Sequence, residues 1–192
     1  MNSTERTEPS QQAKPLYRPW WYWVANLANT GVVFSMWFVL GPSHPIYALA
    51  VIGWTRGLLP GAAGPALRIL PRRWFRVSTG ERILHRMLGV GIFDWLLERS
   101  AYNRHIARPM RGFDGTRAGL LSLEPSLRAS AGAHGSCFAI HVLLTTVALF
   151  IGHPWGTALW VLLPGLVIHV YPVLLQRSIM LRIQPLVDRS GS

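Results

Sequence analysis

The sequence predicts an all-α membrane protein: two helical hairpins, about four spans, joined by a basic, partly helical segment at the cytoplasmic face or in the membrane interface. Three observations carry that reading. Only 14% of the 192 residues are charged and half are hydrophobic, whereas a soluble domain is about one quarter charged, so apolar surface stands where charge would be. The apolar residues fall into two blocks, each divided by a Pro/Gly-rich turn. Finally, 12 of the 19 Lys/Arg residues lie between Arg68 and Arg128, in the polar stretch separating the blocks.

Residues 1–19 are polar, contain Pro9 and Pro15 and lack apolar periodicity, so a disordered tail is expected. Trp20 to Leu40 carries no charge and has the length of a bilayer crossing. Arg18 and Trp20-Trp21-Tyr22-Trp23 supply the cationic and aromatic anchors of a membrane interface. No small-x-small cleavage pattern follows, which favours a span over a signal peptide. Gly41-Pro42-Ser43-His44-Pro45 reverses the chain. Ile46 to Leu59 is apolar except for Thr55 and Arg56, and Pro60-Gly61-Ala62-Ala63-Gly64-Pro65 is expected to close it. This is a second span with Arg56 snorkelling, or else a re-entrant or interfacial segment; it completes a first hairpin over 20–65.

Residues 66–131 form the basic middle. Ser78-Thr79-Gly80-Glu81 has capping-box spacing, and Ile83, Leu84, Met87, Leu88, Trp95 and Leu96 recur at helical intervals against Arg82, Arg86, Asp94, Glu98 and Arg99. An amphipathic helix interrupted near Gly89 and Gly91 follows, lying either on the membrane or against the core of a cytosolic cap. Residues 100–126 read as irregular, and Asn103-Arg104-His105 as a solvated or headgroup-facing turn. The second hairpin, 132–176, rises to Ile151, turns at Gly152-His153-Pro154-Trp155-Gly156 and returns through Thr157 to Leu175, broken by Pro164-Gly165 and Pro172. A basic tail, 177–192, ends the chain.

Both tails and the middle carry excess Lys/Arg, and both turns carry none. The cell membrane, multi-pass, with both termini cytoplasmic, satisfies that distribution. The net charge of +11 also fits nucleic acid, but a polybasic segment flanked by apolar spans belongs against membrane lipid and its anionic headgroups. No nucleic-acid partner is therefore expected, and association into a homo- or hetero-oligomer stays open. Cys137 is the lone cysteine and lies in an apolar run, so it reads as a packed hydrophobe.

Polar side chains inside membrane-length apolar runs are costly and usually have a use. His134 and His141 lie two helical turns apart on one arm of the second hairpin, and His169 lies on the other. With the turn centred near Pro154 and Trp155, His141 is level with His169, and His134 with Leu175 and Gln176, beside Arg177. The expected track has His134, Gln176 and Arg177 at the cytoplasmic edge, where chemistry belongs, and His141 with His169 deeper, where packing is as good an account. In acyl transfer a histidine takes the proton from an acceptor hydroxyl, and an interfacial arginine holds a phosphate of the donor. No metal is expected, because the hairpin lacks His-x-x-x-His spacing and carboxylates.

Arg128 six residues before His134, together with His169-x-Tyr171-Pro172-x-x-x-Gln176-Arg177-x-x-x-x-Arg182, resembles the small membrane acyltransferases that act on glycosylated diaponeurosporenoate carotenoids. Trp74-Phe75-Arg76…Glu81-Arg82…His85-Arg86…Leu88-Gly89-Val90 is similar to that family's middle region, extending the resemblance over about residues 70–185. The resemblance implies a multi-pass protein of lipid metabolism and carotenoid biosynthesis that moves a fatty acyl group onto a sugar hydroxyl. The polar track and the resemblance together mark His134, Gln176 and Arg177 as candidate catalytic residues and Arg128, His169, Tyr171 and Arg182 as candidate substrate-binding ones. The resemblance implies an acyl-CoA-type donor and no permanently bound cofactor. Here Ala131 stands where that pattern usually has an acid, His169 stands where asparagine is frequent, and Gln176-Arg177-Ser178-Ile179-Met180 replaces the usual Gln-Arg-Tyr-Asn-Arg. The alternative is a non-enzymatic assembly factor or partner subunit that binds anionic lipid or protein.

Overall fold

The computed structural model describes residues 18–100 and 117–188, and every regular element in them is helical. The elements are α1 (Trp20–Leu40), α2 (Pro45–Ile69), α3 (Arg72–Phe75), α4 (Glu81–Met87), α5 (Val90–Arg99), α6 (Arg117–Phe150), α7 (Trp155–Gly165), a π-helical turn (Leu166–Val170) and α8 (Tyr171–Asp188). The last three run on without a break. Four rods are long and apolar enough to cross a membrane: α1, α2, Leu123–Phe150 of α6, and Trp155–Leu186. The N-terminal tail to residue 17, the Asn103-Arg104-His105 turn and residues 189–192 lie outside the described residues.

Both turns form as expected and meet at one end of the bundle. Gly41 adopts φ 77° after α1, Pro45 opens α2, and His44 caps it by accepting the Ile46 N–H at 3.2 Å. Gly152, at φ 89°, ends α6 in a Schellman arrangement: its N–H bonds the Leu149 carbonyl, and the His153 N–H bonds that of Ala148. The His153 ring then stands edge-on to Trp37, 6.3 Å between centroids, which ties one turn to the other hairpin.

Pro60 and Pro65 do not close the second span as expected. α2 carries both inside one helix and reaches Ile69. Proline removes an N–H and crowds the preceding turn, so the ladder needs a substitute partner. Tyr22 of α1 supplies it: the phenol accepts the Gly61 N–H at 2.9 Å and donates to the Gly57 carbonyl at 2.8 Å.

Two further expectations change. Residues 117–126 are not irregular, because α6 begins at Arg117 and carries Pro125 within it. Leu123 and Leu127, a helical turn apart, bury against Ala131, Met180 and Ile183, and that packing outweighs the composition. For the same reason residues 177–188 continue α8 rather than leaving the bundle. Within the basic middle, Ser78 and Glu81 make one half of a capping box, the Glu81 carboxylate accepting the Ser78 N–H at 3.0 Å. Gly89, left-handed at φ 66°, divides the amphipathic stretch into α4 and α5, which pack on α8. Ile83, Met87, Ile92 and Trp95 stay more than half exposed. That exposed apolar stripe is available to a membrane interface or to a further covering surface.

Candidate functional site

Where α2, α6 and the π turn converge, the close approach depends on small residues. A Cβ on Gly165 would lie 2.7 Å from both Cβ and Nδ1 of His141, and one on Gly132 would lie 2.9 Å from that of Ala66. The π turn follows from Pro172, which has no N–H to return to Ile168. The Tyr171 N–H bonds the Leu166 carbonyl five residues back, and His169 sits in the widened turn, fully buried.

The three histidines form one connected chain. His134 Nδ1 lies 3.2 Å from His169 Nδ1, and the His169 ring is 5.4 Å from that of His134 and 5.3 Å from that of His141. The link between the deeper two is Thr55 of α2, whose Oγ1 is 3.0 Å from His169 Nε2 and 3.3 Å from His141 Nε2. His141 Nδ1 lies 2.9 Å from the Val161 carbonyl. Cys137 is enclosed beside them and donates its S–H to the Thr55 carbonyl at 3.3 Å, in keeping with a packed thiol.

These partners fix the tautomers of the neutral chain. A carbonyl only accepts, so His141 carries its proton on Nδ1 and presents a lone pair at Nε2. Thr55 has one hydroxyl proton, and its Oγ1 is 2.9 Å from the Val51 carbonyl and 3.3 Å from His141 Nε2. Given to His141 it satisfies the Nε2 lone pair, whereas given to Val51 or His169 it would leave the Thr55 and His141 lone pairs facing each other. Thr55 therefore accepts from His169 Nε2–H, His169 Nδ1 accepts from His134 Nδ1–H, and His134 Nε2 is left with a free lone pair. His134 is half-buried while His141 and His169 are enclosed, so the basic nitrogen is at the accessible end of the chain.

The depth-matched split into an edge cluster and a deeper pair is not what forms. α6 ends at Phe150 and α7 begins at Trp155, which centres the turn near Gly152 and His153. The arms slide accordingly, and His169 falls between His134 and His141. Gln176, buried, donates to Ser130 Oγ at 3.2 Å rather than meeting His134. Arg177 faces away from the chain: Nε and Nη2 hold the two Glu81 oxygens at 2.7 and 2.8 Å, and Nη1 and Nη2 bond the carbonyls of Trp74 and Arg76. Its guanidinium also lies 5.7 Å from the Trp74 ring centre. This bidentate pair, with side chains only 16% and 20% exposed, holds the Glu81 carboxyl below its ordinary value. Arg177 thus clamps the 74–81 segment over α6, where Trp74 covers Gly135 beside His134.

Arg128 pairs with Glu124 one turn back on α6. Tyr171 packs against Phe93 with the rings tilted at 44° and their centroids 5.2 Å apart, docking α5. Arg182 is exposed on α8 and lines a cleft with Arg82 and Arg86. Ala131 is fully buried among apolar side chains. Among the described residues no group of three His, Cys, Asp or Glu side chains is placed to hold a metal ion. Thr55 escaped the sequence reading, although the cost argument applied to the histidines flags it equally as a polar residue in an apolar run. The Glu81 partner of Arg177 had only its capping-box spacing to reveal it.

No curated protein and no solved structure matches this chain. Residues 71–189, more than half of its length, match the family described as glycosyl-4,4'-diaponeurosporenoate acyltransferase (CrtO). With four helices of membrane-crossing length around a connected histidine chain, the protein belongs to that acyltransferase family.

Proposed function

We propose that the protein transfers a fatty acyl group from a thioester donor to a hydroxyl of a glycosylated carotenoid or related glycolipid at the cytoplasmic membrane face. The observation that carries this is the 3.2 Å contact between His134 and His169, which turns the accessible Nε2 of His134 into a base. His134 Nε2 takes the acceptor's hydroxyl proton, the oxygen attacks the thioester carbonyl, the C–S bond breaks and the proton leaves with the thiolate. His169 does for His134 what a carboxylate does in other base pairs, fixing its tautomer and orientation. That role suits a chain with Ala131 at the position of the usual acid. Arg56, exposed and next to Thr55 in the sequence, is the cation assigned to the developing oxyanion. Gln176 and Arg177 act by holding Ser130 and the 74–81 segment. The excess of Lys/Arg outside the spans supports an orientation with both termini cytoplasmic.

The test is acyl transfer by purified protein in nanodiscs, using radiolabelled acyl-CoA and a carotenoid glycoside, with comparative lipidomics of a deletion strain. His134→Ala is expected to lower kcat by about 10²–10⁴ and to remove an acylated glycolipid from the lipid profile. An unchanged profile in a strain carrying alanine at all three histidines overturns the proposal and favours a non-enzymatic partner subunit.

A further inference from the structure

Away from the histidine chain, α4, the first turn of α5 and α8 enclose a cleft of about 560 Å³. Arg82 and Arg86, four apart on one face of α4, and Arg182 of α8 line it. All three are exposed, and none forms an ion pair among the described residues. Between them lies His85, only 6% exposed, whose Nε2 has no hydrogen-bond partner. A buried polar atom without a partner is expensive, and because His85 lines the cleft, a small turn of its ring toward the opening lets a ligand atom repay that cost. Burial holds the His85 imidazole below its ordinary value, leaving it neutral and able to present an N–H.

Backbone adds to the same wall. Gly89, left-handed, starts α5 so that Val90, Gly91 and Ile92 border the cleft. The Ile92 N–H is already bonded to the Gly89 carbonyl, while the N–H groups of Val90 and Gly91, at the helix start, lack intrahelical acceptors and favour an anion. Gly91 has nothing within 4 Å of a Cβ position, so the approach is open. The carboxylate in the lining, Asp94, is already engaged. Leu175 and Leu181 close the apolar side, and the exposed faces of Ile83, Met87 and Ile92 continue it outward. Arg177, the arginine expected to hold a donor phosphate, is committed to Glu81 and two carbonyls, while these three arginines are not.

We infer that this cleft binds the phosphate group of an amphiphile, through Arg82, Arg86, Arg182 and the His85 Nε2–H. A phosphate or diphosphate takes several charge-assisted donors at once, and the volume admits more than one phosphate. The phosphate has two sources: the nucleotide end of an acyl thioester donor, or the headgroup of a bilayer phospholipid. The donor form rests on the acyltransferase reading; phosphate recognition does not.

Calorimetry of the full chain in phosphatidylcholine nanodiscs, titrated with pyrophosphate and with adenosine 3',5'-bisphosphate, tests this. A second set of discs contains phosphatidylglycerol. Wild type is expected to bind pyrophosphate, and R82Q/R86Q/R182Q to bind it at least about tenfold more weakly. R68Q/R73Q/R99Q, which removes equal charge elsewhere, should stay within about twofold. Tighter binding of the bisphosphate identifies the donor, and competition by phosphatidylglycerol identifies the lipid. Should the triple variant not remain monodisperse, Arg86→Gln alone is read against Arg99→Gln. No pyrophosphate binding by wild type, or equal losses in both variant sets, overturns the assignment. Pyrophosphate binding without acyl transfer defeats the enzyme reading and leaves the cleft standing.

Discussion

Thr55→Val removes one hydroxyl while keeping the side chain's shape, and it tests whether the histidines act as a chain. The hydroxyl lies 2.9 Å from the Val51 carbonyl, 3.0 Å from His169 Nε2 and 3.3 Å from His141 Nε2. The Val51 carbonyl keeps its partner within α2, so the cost falls on His169, whose buried Nε2–H loses its acceptor. Interhelical hydrogen bonds in bilayers contribute from about 0.6 to 2 kcal/mol, and an orphaned buried donor costs about 1–3 kcal/mol, so a loss of about 1–2 kcal/mol is expected. The larger effect is on chemistry. Without Thr55, nothing holds the proton on His169 Nε2; with that proton moved to Nδ1, His134 donates from Nε2 and ceases to be a base there. A kcat loss of about 10²-fold, approaching that of His134→Ala, is expected, with KM little changed. Thr55→Ser retains the oxygen and should recover most of the rate. The assay is nanodisc acyl transfer alongside thermal unfolding followed by size exclusion. Thr55→Val activity within about twofold of wild type, in a preparation where His134→Ala is inactive, refutes the relay.

Gly165→Ala drives a methyl into the His141 ring, and overpacking of this kind costs about 1–3 kcal/mol; the unfolding temperature should fall, and one equal to wild type would contradict the packing. Glu81→Gln breaks the bidentate pair with Arg177, for a loss of about 1–3 kcal/mol, between the limits for exposed and buried pairs. The pH dependence has a definite sign. Because the folded Glu81 carboxyl titrates below its ordinary value of 4.5, the stabilisation is present above that value and is lost as pH falls through the lower folded one. Wild type should therefore lose more stability than Glu81→Gln on acidification below about pH 4.5, and parallel losses would refute the assignment.

The class of fold was legible because span length and charge placement are one-dimensional properties. Trp20–Leu40 emerges with the expected bounds, and both turns are set by their own glycines and prolines. Pro60 and Pro65 misled because the partner that keeps the ladder intact, Tyr22, is 39 residues away from Gly61 in sequence. Residues 117–126 misled for a related reason: their glycine and proline speak against a helix, while the neighbours of Leu123 and Leu127 come from α8. At the site, the histidines were found but not their order. Register depends on where the turn is centred and on the extra residue of the π turn, and neither leaves a hydrophobic pattern. Arg177 was flagged by type and position, but its Glu81 partner lies on a separate element 96 residues away.

The tyrosine that mends α2 has a consequence for how the molecule divides. Similarity to the family begins at residue 71, and a boundary drawn there would leave the first two helices as an accessory. Hydrogen bonds cut the molecule differently. Thr55 and the Cys137 bond to its carbonyl join α2 to the histidines, and Tyr22 joins α1 to α2 through the gap that Pro60 opens. A chimaera that exchanges the leading hairpin must therefore import a matching threonine and tyrosine as a set, because the recognisable part of the sequence does not contain all of its own wiring.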